Sequence, residues 1–331
     1  SAVSTGDGMY IDLTNPVAGA VIDGTTADIS YTASRENLQF TWSDYSDAQS
    51  GVEYYTISLK DGAGNVILAP TNIGNISTWW ITGNAGHDVT TGTYVESLAY
   101  GGANSGLING TTYHGIVRAV DYAGNQSAEV VSSVIADNDG PVAGQVADRD
   151  NNDVEWISST STTNIHWENF SDTLSGIDHY EYAIGTSLGG SQALAWTNAL
   201  NTDTSATITG LSLTHLTQYY SSVRAVDSVG NVSTTAISDG FTVDTDVPTV
   251  SYIREGVTGE LDIQNVDSLI SARWLGADIA TGSGVDFYEV ALGTSVGDVS
   301  TVGWFVQDHP DTLEDIDDLD LTDATTYYVS V

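Results

Sequence analysis

Apolar and polar residues alternate along this chain in runs too short for helices. Thr207–Leu211, Tyr220–Val226 and Phe241–Val243 each keep the two-residue period of a half-buried strand. Between such runs stand Gly, Asn, Asp and Ser, the residues of tight turns. No long 3.6-residue period is present, and at most one short helix fits near Val89–Tyr100. With 34 glycines in 331 residues, the pattern predicts an all-β chain of packed sandwiches.

The pattern also repeats. A Trp, a Gly nine residues on and a Tyr four residues later recur as Trp42–Gly51–Tyr55 and Trp167–Gly176–Tyr180. A third copy, Trp274–Gly284–Tyr288, carries one extra residue before its Gly. The second and third copies then run in register at an offset of 108 residues: Glu181/Glu289, Gly185/Gly293, Trp196/Trp304, Leu213/Leu321 and Tyr219/Tyr327. A period near 100 residues predicts tandem domains. Acidic turns ending in Pro, at Asp12–Pro16, Asp137–Pro141 and Asp244–Pro248, mark the boundaries, because Pro cannot donate to a strand ladder. The expected units are sandwiches over 14–138, 139–246 and 247–331. The first holds 19 extra residues between its Tyr55 and Tyr113 strands, in a region containing Trp79, Trp80, Tyr94 and Tyr100.

Both ends fall inside a repeat. Val331 corresponds to Val223, so the third unit stops within its sixth strand. Gly8–Pro16 aligns with Gly240–Pro248, so residues 1–13 resemble the last strand of a preceding repeat. Two readings stay open. The chain is an excerpt of a longer array, or residues 1–13 of one copy complete the third sandwich of the next, head to tail, as a donor strand.

These residues resemble the fibronectin type III and related immunoglobulin-like repeats of bacterial surface proteins, adhesins among them. In that family a Trp on the second strand packs on a Tyr of the third. A Leu then precedes, by six residues, a Tyr opening the sixth strand. The matches are Trp42, Tyr55, Leu107 and Tyr113; Trp167, Tyr180, Leu213 and Tyr219; and Trp274, Tyr288, Leu321 and Tyr327. The resemblance implies a tandem array of three Greek-key β-sandwiches, the third lacking its last strand. It says little about function, because this sandwich serves many tasks. A weaker similarity links Ala119-Val120-Asp121, Gly124-Asn125 and Asp137–Pro141 to the calcium-binding motifs of cadherin repeats, with a departure at Gly140. It implies Ca²⁺ at the junctions.

Charge sharpens the candidates. Seven basic against 44 acidic residues leave a formal charge of −37. Such a surface repels nucleic acid and anionic membrane and attracts divalent cations. No run approaches the ~18 apolar residues of a membrane-spanning helix. There is no Cys, so no disulfide or thiolate site is expected.

In the sandwich topology, the incoming linker, the loop after the Trp strand and the last loop share one pole. This gathers Asp12, Asn15, Asp47 and Asp121 at the chain start. It gathers Asp137, Asp139, Asp172, Asp227 and Asn231 at the first junction, and Asp244, Asp246 and Asp278 at the second. Ca²⁺ takes six to eight such oxygens. Turn chemistry explains the same residues without a metal, because Asp caps tight turns. The acidic run Asp308–Asp323 reads as a solvated edge or a weak cation site. Trp79 and Trp80 are candidates for stacking on sugars, and since strand neighbours face opposite sides, at least one should leave its own core. The six histidines form no recognisable catalytic or zinc motif.

The expectation is an extracellular, non-enzymatic structural protein: a stalk of a bacterial adhesin or a subunit of a surface filament. Its partners would be neighbouring repeats or head-to-tail copies of itself, and Ca²⁺ would stiffen its junctions. Two alternatives stand beside it. One is a carbohydrate- or surface-binding module using the aromatic insertion. The other is an accessory region of a secreted polysaccharide-degrading enzyme.

Overall fold

The computed structural model describes residues 6–24, 26–35, 37–82, 95–97, 107–149 and 153–331. All regular structure among them is β-strand, arranged around three separate cores. In the first sandwich, a sheet of Ala20–Asp23, Asn37–Ser43, Thr78–Thr82 and Val95–Ser97 faces a sheet of Tyr31–Thr32, Val130–Ala136, Thr112–Asp121, Val52–Asp61 and Val66–Asn72. In the second, Gln145–Ala147, Thr162–Glu168 and Ser205–Thr209 face a larger sheet centred on Ile177–Gly185 and Gln218–Asp227. In the third, Thr249–Glu255, Ile270–Ala277 and Leu313–Ile316 face Val302–Asp308, Phe287–Gly293 and Tyr328–Ser330. The chain is thus an all-β tandem array.

The repeated residues are the ones that close each core. Trp42, Trp167 and Trp274 are 3%, 1% and 1% exposed. Their rings meet Tyr55, Tyr180 and Tyr288 at centroid distances of 5.5, 5.6 and 5.5 Å, all inclined rather than face to face, as ring quadrupoles prefer. None of the three indole N–H groups finds a protein acceptor among the described residues, so what holds each indole is ring packing. The Leu-to-Tyr spacing has a geometric cause. The hydroxyls of Tyr113, Tyr219 and Tyr327 accept the backbone N–H of Ile108, Thr214 and Thr322 at 2.9, 3.0 and 3.0 Å. This tyrosine corner pins the loop before the Thr112–Asp121, Gln218–Asp227 and Tyr328–Ser330 strands and places the preceding Leu against the core.

Some local expectations shift. The strand expected over Thr207–Leu211 is Ser205–Thr209, ended by Gly210 at φ 76°, a left-handed turn that suits Gly. No strand forms over residues 6–13, the described part of 1–13. Met9, Tyr10, Ile11 and Leu13 stand exposed there, and no strand among the described residues pairs with them. The helix considered near Val89–Tyr100 lies mostly outside the described residues, as do Tyr94 and Tyr100, and its described part, Val95–Ser97, is a strand.

Candidate functional site

The acidic poles form as trios. At the first sandwich, Asp12 comes from the incoming segment, Asp47 from the loop after the Trp42 strand, and Asp121 from the end of the Thr112–Asp121 strand. At the second, Asp137, Asp172 and Asp227 take the same places. Within each trio, one carboxylate oxygen per residue lies within 4.8 Å of the others, with two members buried and one half-buried.

Backbone amides absorb much of this charge. Asp47 Oδ1 accepts the N–H groups of Gln49, Ser50 and Gly51 at 3.0, 2.8 and 2.9 Å. Asp172 Oδ1 accepts those of Leu174 and Gly176 at 3.0 and 2.7 Å. Asp121 and Asp227 each accept two turn N–H groups on Oδ1, and on Oδ2 the side-chain amide of Asn125 or Asn231 at 2.8 or 2.7 Å. Burial pushes the Asp121 carboxyl up, but these donors outweigh it and hold its pKa below the ordinary value. Turn chemistry therefore operates at both poles. Asp47 Oδ2 and Asp172 Oδ2 keep no hydrogen bond within the described protein. The hydroxyls of Ser50 and Ser175, one on each loop, are buried without a partner among the described residues.

The linker carboxylates make a second kind of contact. Asp12, Asp137 and Asp244 each accept, on Oδ2, the backbone N–H of Ser50, Ser175 or Ser283 at 3.1, 3.0 and 2.6 Å. Two of these residues also bond backwards. The N–H of Asp137 donates to Thr32 of the first sandwich, and that of Asp244 to Ile157 of the second, each at 2.8 Å. The Ser283 amide is the main cause holding the Asp244 carboxyl below its ordinary pKa.

Other candidates sit elsewhere. Asp139 is 68% exposed at its side chain and points to Arg35 at 3.6 Å, not to the trio. Asp246 faces His215 at 3.5 Å. Asp278 accepts Gly284 N–H at 2.9 Å beside Asp244, without a third carboxylate among the described residues. The Asn231 amide nitrogen donates to the Asp137 carbonyl at 2.9 Å, so it ties the linker to the last loop. Asn15 is exposed. In the acidic run, Leu313–Ile316 is an ordinary strand.

Of the two tryptophans, Trp79 is fully buried in the first core, where it cannot meet a sugar. Trp80 is half-buried on the outer face. Strand parity requires this opposition, and the pairing of Phe40 with Trp79 decides which ring goes in.

One recurring cluster was not anticipated. Asp23 and Asp148, each 1% exposed, sit five residues before Asp28 and Asp153. Their own backbone N–H groups donate to those second carboxylates at 3.2 and 2.9 Å. Ser132 Oγ lies 3.0 Å from Asp23, and Ser221 Oγ donates to Asp148 at 2.5 Å. Asp239 completes a trio with Asp148 and Asp153. Burial, then the nearby Asp153 charge, push the Asp148 pKa up against the Ser221, Ser238 and Gly240 donors. Glu255 and Glu260 keep the spacing in the third unit, where hydrogen bonding to Glu255 raises the Glu260 pKa. The equal five-residue spacing was the available signal.

No family model matches the chain. A stretch of 233 residues, 69% of this chain, is 29% identical to exoglucanase B of Cellulomonas fimi, and the match spans 19% of that relative's length. Among solved structures, the chain is similar to the FN1–FN3 domains of chicken CNTN1. That match has 16% identity, covers 95% of this chain and 92% of that one, and has a TM-score of 0.34. It is also similar to fibronectin(III)-like modules of Clostridium thermocellum CbhA, with 12% identity, 68% and 94% coverage, and a TM-score of 0.36.

The buried acid makes a testable pH signature. A carboxyl with a raised folded pKa contributes stability that is full below its unfolded value and fades as pH rises through the folded value. Wild type should therefore gain stability relative to Asp148→Asn as pH falls from 7, levelling off below 3.8. Urea unfolding of both proteins across that range checks this, and a pH-independent difference would show Asp148 titrating normally.

Proposed function

We propose that the chain is a non-catalytic, extracellular array of sandwiches within a polysaccharide-degrading protein, where it spaces the parts that flank it. The observation that carries this reading is the identity with exoglucanase B, which covers most of this chain but only a minor share of that relative. It favours the accessory alternative over the adhesin stalk or filament. The mechanics are the same in each case. Asp137 and Asp244 bond the sandwich on either side of them, which limits rotation at each junction.

The reading is tested in the polypeptide that carries the array. Deleting the array should lower hydrolysis of insoluble polysaccharide several-fold and leave hydrolysis of a soluble oligosaccharide unchanged. Equal rates on the insoluble substrate would contradict the reading, as would hydrolysis by the isolated array.

A second proposal concerns Ca²⁺. Each of the two trios at the poles, Asp12/Asp47/Asp121 and Asp137/Asp172/Asp227, holds two buried carboxylates, and each adjoining loop buries a serine hydroxyl without a partner among the described residues. A divalent ion would offset this crowding, with Asp47 Oδ2 and Asp172 Oδ2 as its freest ligands. Free Ca²⁺ at tenfold over Kd would add about 1.4 kcal/mol of stability. The thermal midpoint should rise in calcium over chelator, and Asp47→Ala and Asp172→Ala should together abolish the rise. An unchanged midpoint in wild type would leave turn chemistry as the whole role of the trios.

A further inference from the structure

The first sandwich differs from its siblings on one outer face. Gln39, three residues before the core Trp, stands opposite Trp80 across antiparallel strands. The same pair of positions holds Asn164 and Thr207 in the second sandwich, and Ser271 and Asp315 in the third. The fold therefore works with a small or charged side chain where the first unit places an indole. An indole that packing does not demand, left half-buried, asks for another explanation.

Trp80 lines a cavity of about 480 Å³ at the end of the Ala20–Asp23 strand, within the range of small-ligand sites. Asn37, Gln39 and Thr26 share its wall. Neither the Asn37 nor the Gln39 side-chain amide bonds to a described residue. Each amide therefore offers an acceptor oxygen and two N–H donors side by side. An apolar ring beside such amides matches a pyranose, whose C–H face packs on an aromatic and whose hydroxyls both donate and accept. The strongly acidic chain disfavours a charged, uronic sugar.

We propose that this groove is a subsite for one pyranose ring of a neutral polysaccharide, with Trp80 stacked on the C–H face and Gln39 and Asn37 bonding the hydroxyls. Trp79, its neighbour, takes no part. The assignment deepens the accessory reading and rests on it for the choice of a glucan as probe.

Affinity electrophoresis of the 331-residue chain in hydroxyethylcellulose gels, beside calorimetry with cellohexaose, tests it. The wild type should be retarded and bind cellohexaose. Trp80→Ala should bind about tenfold more weakly, the equivalent of one lost stacking contact. Gln39→Ala should weaken binding too and serves if Trp80→Ala melts early. Trp196→Ala, which removes an indole that covers Arg224 in the second sandwich, should bind as wild type. No binding by wild type, or full binding by a folded Trp80→Ala, would overturn the subsite. Binding lost equally in Trp196→Ala would overturn it as well. An array that aids hydrolysis of insoluble substrate while Trp80→Ala is neutral refutes the subsite alone. Trp80-dependent binding without that aid refutes the accessory reading alone.

Discussion

One aspartate at each internal junction bonds two sandwiches at once, and the order of the array depends on it. Asp137 gives its N–H to Thr32 behind it and its carboxylate to the Ser175 N–H ahead, and Asp244 does the same with Ile157 and Ser283. A hydrogen bond to an ionised group is worth roughly 1.5–3 kcal/mol, more than a neutral one, so a short linker can be held without a large apolar interface. The first junction adds further ties. Asn138 N–H donates to the Asn109 side chain at 2.8 Å, and the Asn138 side-chain amide donates to the Leu107 carbonyl at 2.9 Å. At Gly140 a Cβ would come within 2.3 Å of the Val232 carbonyl oxygen, so only glycine lets the linker pass so close. At the second junction His215 stands in for Asn109, accepting Thr245 N–H on Nδ1 at 3.1 Å.

This arrangement explains how so acidic a chain folds. Carboxylates at the poles are turned onto backbone amides, which stabilise the ionised form without a counter-ion. Those at Asp23 and Asp148 are buried, and burial raises their pKa. One fold thus holds acids with opposite pH responses. Asp121 and Asp244, held below the ordinary carboxylate pKa, favour neutral pH, and Asp23 and Asp148 favour mild acid. The three cores carry none of this charge and rest on the Trp–Tyr contact repeated in each.

Much of this was legible in the residues. Trp, Tyr and the Leu-to-Tyr spacing predicted the cores because each answers to one geometric need, ring packing or a tyrosine corner. The trios were legible for a similar reason, since topology alone brings the linker and two loops to one pole. Side-chain direction was not. Parity required Trp79 and Trp80 to oppose each other, but only the strand register shows that Trp79 goes inward. Asp139 and Asp246 were gathered at the poles as linker residues, but their side chains face Arg35 and His215 instead. The buried Asp23 and Asp148 passed unnoticed because an acid at the end of a short edge strand looks solvated until the strand beside it is placed.

Amide hydrogen exchange at Ser175 and Ser283 tests the central claim most directly. Both N–H groups lie in loops, where exchange is fast unless something bonds them. If the linker aspartates clamp the array, both amides exchange slowly in the intact chain. Asp137→Ala then frees Ser175 alone, and Asp244→Ala frees Ser283 alone, with the strand amides of each sandwich unchanged. Exchange at the rate of an open loop in the wild type would mean that the junctions are not held by these carboxylates.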